Sequence, residues 1–136
     1  MTPPFYFKLY LATFAAFFVI DMLWLGLVAR GLYSKHLGFL MAPNVNWLAA
    51  ILFYLLWIAG LLILAVIPGL QANSLAKAVL FGALFGFMTY ATYDLTNLAT
   101  LKNWPVTITL IDIAWGTILS TSVSTISFLV GRWLLR

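Results

Sequence analysis

Asp21, Asp94 and Asp112 are the whole acidic complement of a 136-residue chain that contains no glutamate. Each interrupts an apolar run. Phe17-Phe18-Val19-Ile20 precedes Asp21, Tyr90-Ala91-Thr92-Tyr93 precedes Asp94, and Ile111 and Ile113 flank Asp112. A carboxylate in hydrocarbon costs roughly 2.5–3.5 kcal/mol on insertion scales, so acids there are rare and either pair or work. Aromatic and amide groups accompany them at helical spacing. Residues three and four apart share a helix face, which puts Tyr90, Asp94 and Asn97 on one stripe with Tyr93 beside it. Asp21 is followed three residues on by Trp24, and Asp112 by Trp115. These two matches lie on helices expected to run in opposite directions, so they are not a repeat. The carboxyls of Asp21, Asp94 and Asp112 are therefore the candidate proton-exchanging or catalytic groups. Trp24, Tyr90, Tyr93, Asn97 and Trp115 are the candidate ligand-facing neighbours.

Three kinds of function suit such a set. The first is binding or transport of a small lipophilic molecule, cationic in its best-fitting form. Carboxyls attract the charge, indole and phenol faces add cation–π contact, and a carboxyl can exchange a proton for the substrate. The second is a membrane-embedded enzyme acting on a lipid or isoprenoid, in which clustered carboxyls divide into a neutral acid and a charged base. The third is an accessory or structural subunit whose polar centre specifies assembly through interhelical hydrogen bonds. The first is preferred, and it implies a homo-oligomer, because four helices enclose little volume. No cofactor is implied. Nothing matches a metal-ligand spacing, so no metal is expected, although Asp94, Asp112 and Asn97 are the residue types that would suit Mg²⁺.

The elements that carry these residues follow from composition. Hydrophobic residues make up 65% of the chain and charged ones 7%, with mean hydropathy +1.08. A soluble domain cannot bury so much apolar surface, so the solvent is the lipid bilayer. The absence of cysteine excludes disulfides, iron–sulfur clusters and thiol chemistry. Net charge is +4 with basic residues scattered singly, which argues against a nucleic-acid partner. Four segments are long enough to cross about 30 Å of hydrocarbon: Phe5–Ala29, Trp47–Ile67, Leu75–Ala99 and Val106–Val130. Breakers separate them at Pro43 with Asn44 and Asn46, at Pro68-Gly69, and at Asn103-Trp104-Pro105. The first span contains Asp21 and lacks a small-residue cleavage site, so it reads as a retained helix and not a signal peptide. The expected fold is all-α: residues 1–136 form one polytopic four-transmembrane-helix bundle, with a short interfacial helix between helices 1 and 2.

Four crossings place both termini on one side, here side A, and the 30–46 and 100–105 connections on side B. Lys8, Lys77, Arg132 and Arg136 fall on side A, and Arg30, Lys35 and Lys102 on side B. That small excess favours cytoplasmic termini. At 1.5 Å per residue, Asp21 lies roughly 13 Å below side B, and Asp94 and Asp112 about 9 Å below it. All three acids thus share one half of the membrane, which unrelated acids would have no reason to do. Leu32, Tyr33, His36, Leu37, Leu40 and Met41 recur at helical spacing in the long connection and predict a short helix lying over the acids as a lid. His36, the only histidine, is by default a solvated interfacial imidazole; its position above the acids also makes it a candidate ligand or proton-relay group. Gly82-x-x-x-Gly86 and the small residues Gly116, Ser120 and Ser124 predict close packing of spans three and four. Trp47, Trp104 and Trp133 read as interfacial anchors, and Trp57 as core. The hydroxyls of 117–125 more often bond their own helix than line a water path.

Two long blocks carry a family likeness: Asp21-Met-Leu-Trp-Leu-Gly-Leu-Val-Ala-Arg-Gly-Leu-Tyr-Ser-Lys-His-Leu-Gly, and Ala91-Thr-Tyr-Asp-Leu-Thr-Asn-Leu-Ala-Thr-Leu-Lys-Asn-Trp-Pro with Asp112-Ile-Ala-Trp-Gly. With them the chain resembles the small four-helix bacterial membrane proteins grouped as domain of unknown function 2177. The likeness covers nearly the whole chain and includes all three acids. It implies a single-domain, multi-pass protein of the bacterial inner membrane. It implies no activity or substrate, so function rests on the residues themselves.

Overall fold

The computed structural model describes residues 1–136, which form helices and no strands. Helix α1 spans Pro3–Leu23, with proline in its first turn where the missing N–H costs least. A π-helical turn, Trp24–Val28, extends it. Helix α2, Leu32–Leu37, and a 3₁₀ turn, Gly38–Leu40, fill the expected interfacial position. Helix α3 spans Trp47–Leu61, and its Asn46 side-chain oxygen accepts from the Ala49 N–H at 3.1 Å. Helix α3 runs on through a second π turn, Leu62–Val66, into α4, Ile67–Gln71. Helix α5 spans Leu75–Thr100, capped by Ser74, and α6 spans Val106–Leu134.

Four stretches are long and apolar enough to cross a membrane: Pro3–Val28, Trp47–Gln71, Leu75–Thr100 and Val106–Leu134. The four-span, all-α reading therefore holds, with one correction. Pro68-Gly69 does not end the second span. In the π turn the Ile67 N–H bonds back to the Leu62 carbonyl, and the helix restarts with Pro68 in its first turn. Proline clashes least there, so the chain stays helical across it. The real breaks fall at Asn73 and Asn103, whose φ values of 49° and 61° are left-handed. Asparagine tolerates that region because its short side chain can bond locally.

In lipid, apolar contact alone gives little drive for helices to associate, so close packing of small residues matters more. Helices α5 and α6 make the most extensive pairing in the molecule. A Cβ on Gly82 would stand 2.5 Å from that of Ser124, and one on Gly86 would run into the Gly116 carbonyl and Ser120. Ser124 donates to the Ala78 carbonyl at 2.8 Å, and Thr13 of α1 donates to Ser127 of α6 at 2.8 Å. Of the other hydroxyls of the serine–threonine run, Thr117, Thr121, Ser122 and Thr125 donate to their own helix, and Ser120 is buried without a partner. The apolar core gathers Leu9, Ile58, Leu61, Val66, Leu119 and Val123. Trp57 joins it between Phe17 and Phe85, at 5.0 and 5.5 Å between ring centroids. Helix α3 contributes buried side chains only from Trp57 onward; Leu48, Ile51, Leu52 and Phe53 are exposed. On side B, then, α3 stands away from the bundle.

Candidate functional site

Side B is where the acids lie. Asp21, Asp94 and Asp112 are all buried, at 7%, 0% and 6% exposure, so none points its carboxyl into the acyl chains. Helices α1 and α6 run antiparallel, and this fixes which groups meet. Along α1 and the π turn that extends it, Trp24 is nearer side B than Asp21; on α6, Asp112 is nearer side B than Trp115. Each indole consequently comes level with the other helix's carboxyl. Trp24 and Trp115 stack face to face, with centroids 4.3 Å apart and planes 8° from parallel. Trp115 and Asp21 line the same cavity. Trp24 Nε1 donates to the Tyr33 hydroxyl at 3.1 Å, and that hydroxyl donates to Asp112 Oδ1 at 2.5 Å.

Tyr33 sits on α2, so the interfacial helix is tied to the buried acid by one phenol. Burial, then its bond to Asp112, pushes the Tyr33 phenol above its ordinary range, against a smaller opposing effect of Trp24. The hydroxyl therefore remains a proton donor at any physiological pH. Sequence spacing put Tyr33 on the lid helix but gave no hint that it bonds Asp112. The residues are 79 positions apart, and neither type demands the other.

Two cavities flank this network. One of about 350 Å³ is lined by Phe53, Thr89, Tyr90, Tyr93 and Asp112. The other, about 230 Å³, is lined by Asp21, Trp24, Tyr33, Tyr54 and Trp115 among others, and shares Phe53 and Tyr90 with the first. Tyr90 is the hinge between them. Its ring fills the space a side chain at Gly116 would need, and it lies within electrostatic reach of all three carboxyls. Phe53 and Tyr93 are more than half exposed, so the rim of the larger cavity opens toward lipid. Phe53 and Tyr54 were not among the sequence candidates. They belong to the part of α3 that reads as plain apolar span.

The remaining candidates sit outside the cavities. Asp94 is sealed between helices, with neither carboxyl oxygen finding a hydrogen-bond partner, and Asp112 is its electrostatic neighbour. Asn97 is half-buried one turn from Tyr93, beside its phenol. His36 Nδ1 bonds the Leu32 carbonyl of its own helix at 2.9 Å, and His36 lines neither cavity. The three carboxyls do not gather with one another or with His36 into a group that could hold a metal ion. Trp104 is corrected from anchor to packing residue. It is 8% exposed, donates to Thr109 at 3.1 Å and meets Tyr93 edge-on at 5.8 Å. Trp47 and Trp133 are exposed, as interfacial anchors require.

No curated protein and no solved structure matches the chain. One family, described as a predicted membrane protein (DUF2177), matches residues 6–129. That stretch holds every residue lining these two cavities and all three acids, so the likeness carried by the Asp21, Asp94 and Asp112 blocks is confirmed over almost the full chain, which belongs to the DUF2177 family of membrane proteins.

Proposed function

We propose that the side B centre binds a small lipophilic cation drawn laterally from the bilayer, and that proton exchange at its carboxyls accompanies binding and release. The observation that carries this reading is the pair of adjoining aromatic cavities, each with one buried carboxyl in its wall. Their sizes suit a small organic molecule. Asp112 and Asp21 supply the negative charge, while Tyr90, Trp24 and Trp115 offer ring faces to a desolvated cation. Phe53 and Tyr93 form a rim that admits a hydrophobic solute without passage through water. Asp94, beside Asp112 and cut off from both cavities, holds the proton that Asp112 gives up when a cation arrives. Tyr33 closes the arrangement from the interface.

Equilibrium dialysis of radiolabelled tetraphenylphosphonium against the full chain in lipid nanodiscs tests this. The wild type should bind saturably, and Asp112→Asn should weaken binding about tenfold or more, the cost of losing one charge partner in a dry site. Protons compete with the cation for a carboxylate, so affinity should fall as the medium is acidified. Absence of saturable binding by the wild type at any pH would overturn the reading. A lipid extract altered by overexpression, and restored by Asp112→Asn, would instead favour acid–base catalysis on a lipid. Changes confined to yield and oligomer size would favour an accessory subunit.

A further inference from the structure

The opposite end of the bundle carries a second cavity type. Where α6 ends and α5 begins, a groove of about 360 Å³ is lined by Leu75, Phe128, Leu129, Arg132, Trp133 and Arg136. Its chemistry is divided. Leu75, Phe128 and Leu129 make an apolar floor, two guanidinium groups stand at the mouth, and the Trp133 indole, 70% exposed, marks the depth of the membrane interface. Arg132 is held in place from two directions. It donates to the Asn73 side-chain oxygen, and its guanidinium lies 6.0 Å from the centre of the Phe128 ring. A guanidinium has five N–H donors, so the one bond to Asn73 leaves most of them free in a residue that lines the groove. No side-chain anion of the chain can meet them, since all three aspartates are buried in the other half of the bundle.

We propose that this groove binds one anionic phospholipid of the side A leaflet, with its phosphate on Arg132 and Arg136 and an acyl chain along Leu75, Phe128 and Leu129. Guanidinium groups take phosphate oxygens in pairs, through two parallel N–H···O bonds. The apolar floor selects a lipid over a soluble anion, because an inorganic phosphate would leave it uncovered. The site is separate from the aromatic–carboxyl centre and stands or falls independently of the ligand proposed there.

Native mass spectrometry of the full chain, released from micelles holding equal amounts of dioleoylphosphatidylglycerol and dioleoylphosphatidylcholine, reads the outcome directly. One phosphatidylglycerol should be retained in clear preference. Arg132→Gln/Arg136→Gln should weaken its affinity about 30-fold, and Arg136→Gln alone about fivefold. The single variant leaves the Asn73 contact intact, so it remains informative if the double variant fails to fold. Arg132→Lys/Arg136→Lys should retain more of the affinity than the glutamine pair. Lys35→Gln/Lys102→Gln, on the opposite face, should change nothing. Equal retention of the two lipids, or wild-type affinity in the glutamine variants, would overturn the proposal. So would displacement of the lipid by millimolar inorganic phosphate, which would make this a soluble-anion site.

Discussion

Helices α5 and α6 meet twice, and the two meetings differ. Toward side A they touch through Gly82, Gly86, Ser120 and Ser124, with no room for an added methyl group at either glycine. Toward side B the same helices carry Tyr90, Tyr93, Asp94 and Asp112, and two cavities border them. Helix α3 follows suit, buried from Trp57 onward and exposed before it. Small residues let backbones close up without a hydrophobic drive, whereas toward side B space with polar groups in its walls is left between these helices and α3. One end of the bundle is closely packed, and the other keeps open space beside buried carboxyls.

Substitutions can break that contrast, and the largest effect is expected at the tight end. Gly86→Val would drive a branched side chain into the Gly116 carbonyl and Ser120, and should cost about 3 kcal/mol, measured by reversible unfolding in mixed micelles. If Gly86→Val were neutral, the close approach would not be what holds the pair together. At the open end, Tyr33→Phe removes the hydroxyl that both accepts from Trp24 and donates to Asp112. The cost should be about 1 kcal/mol, accompanied by looser attachment of α2. The chain has no cysteine, so Ser34→Cys supplies a unique probe, and its modification by a membrane-impermeant maleimide should speed up in the Tyr33→Phe background.

Smaller effects sharpen the comparison. Gly26 lies in the side B π turn, where an added Cβ would meet nothing within 4 Å. Gly26→Ala should therefore stabilise by about 0.5 kcal/mol through reduced backbone freedom, opposite in sign to the change at Gly86. The smallest stability effect belongs to Asp94→Asn, which keeps the volume of a side chain that has no hydrogen bond to lose. Unfolding free energy should move by less than about 0.5 kcal/mol, while the pH dependence of tetraphenylphosphonium binding flattens. A large loss of stability instead would mark Asp94 as a structural group.

Much of the fold was legible from residue order. Span lengths and the glycine–serine contact of α5 with α6 each follow from local composition or helical period. The shared depth of the acids also follows, because a helix converts residue count into distance. The exchange of partners between Asp21-x-x-Trp24 and Asp112-x-x-Trp115 was less visible. The antiparallel run of the two helices was deducible, but their being neighbours was not, since sequence says nothing of the order in which spans pack around a bundle. Pro68 misled for a related reason. A π turn upstream carries the helix into Pro68, which then stands in a first turn where no N–H is needed, and no residue type announces a π turn.

Sequence alone determined that this chain lives in lipid, crosses it four times, and holds its few carboxyls in one layer, because hydropathy and helical rise are properties of consecutive residues. Only the tertiary structure decided that Tyr33 reaches Asp112, that Trp24 lies on Trp115, that Asp94 is shut away from both cavities, and that His36 bonds its own helix. Those are contacts between distant parts of the chain, fixed by rotation and tilt of whole helices, and a shift of one residue in any register would choose different partners.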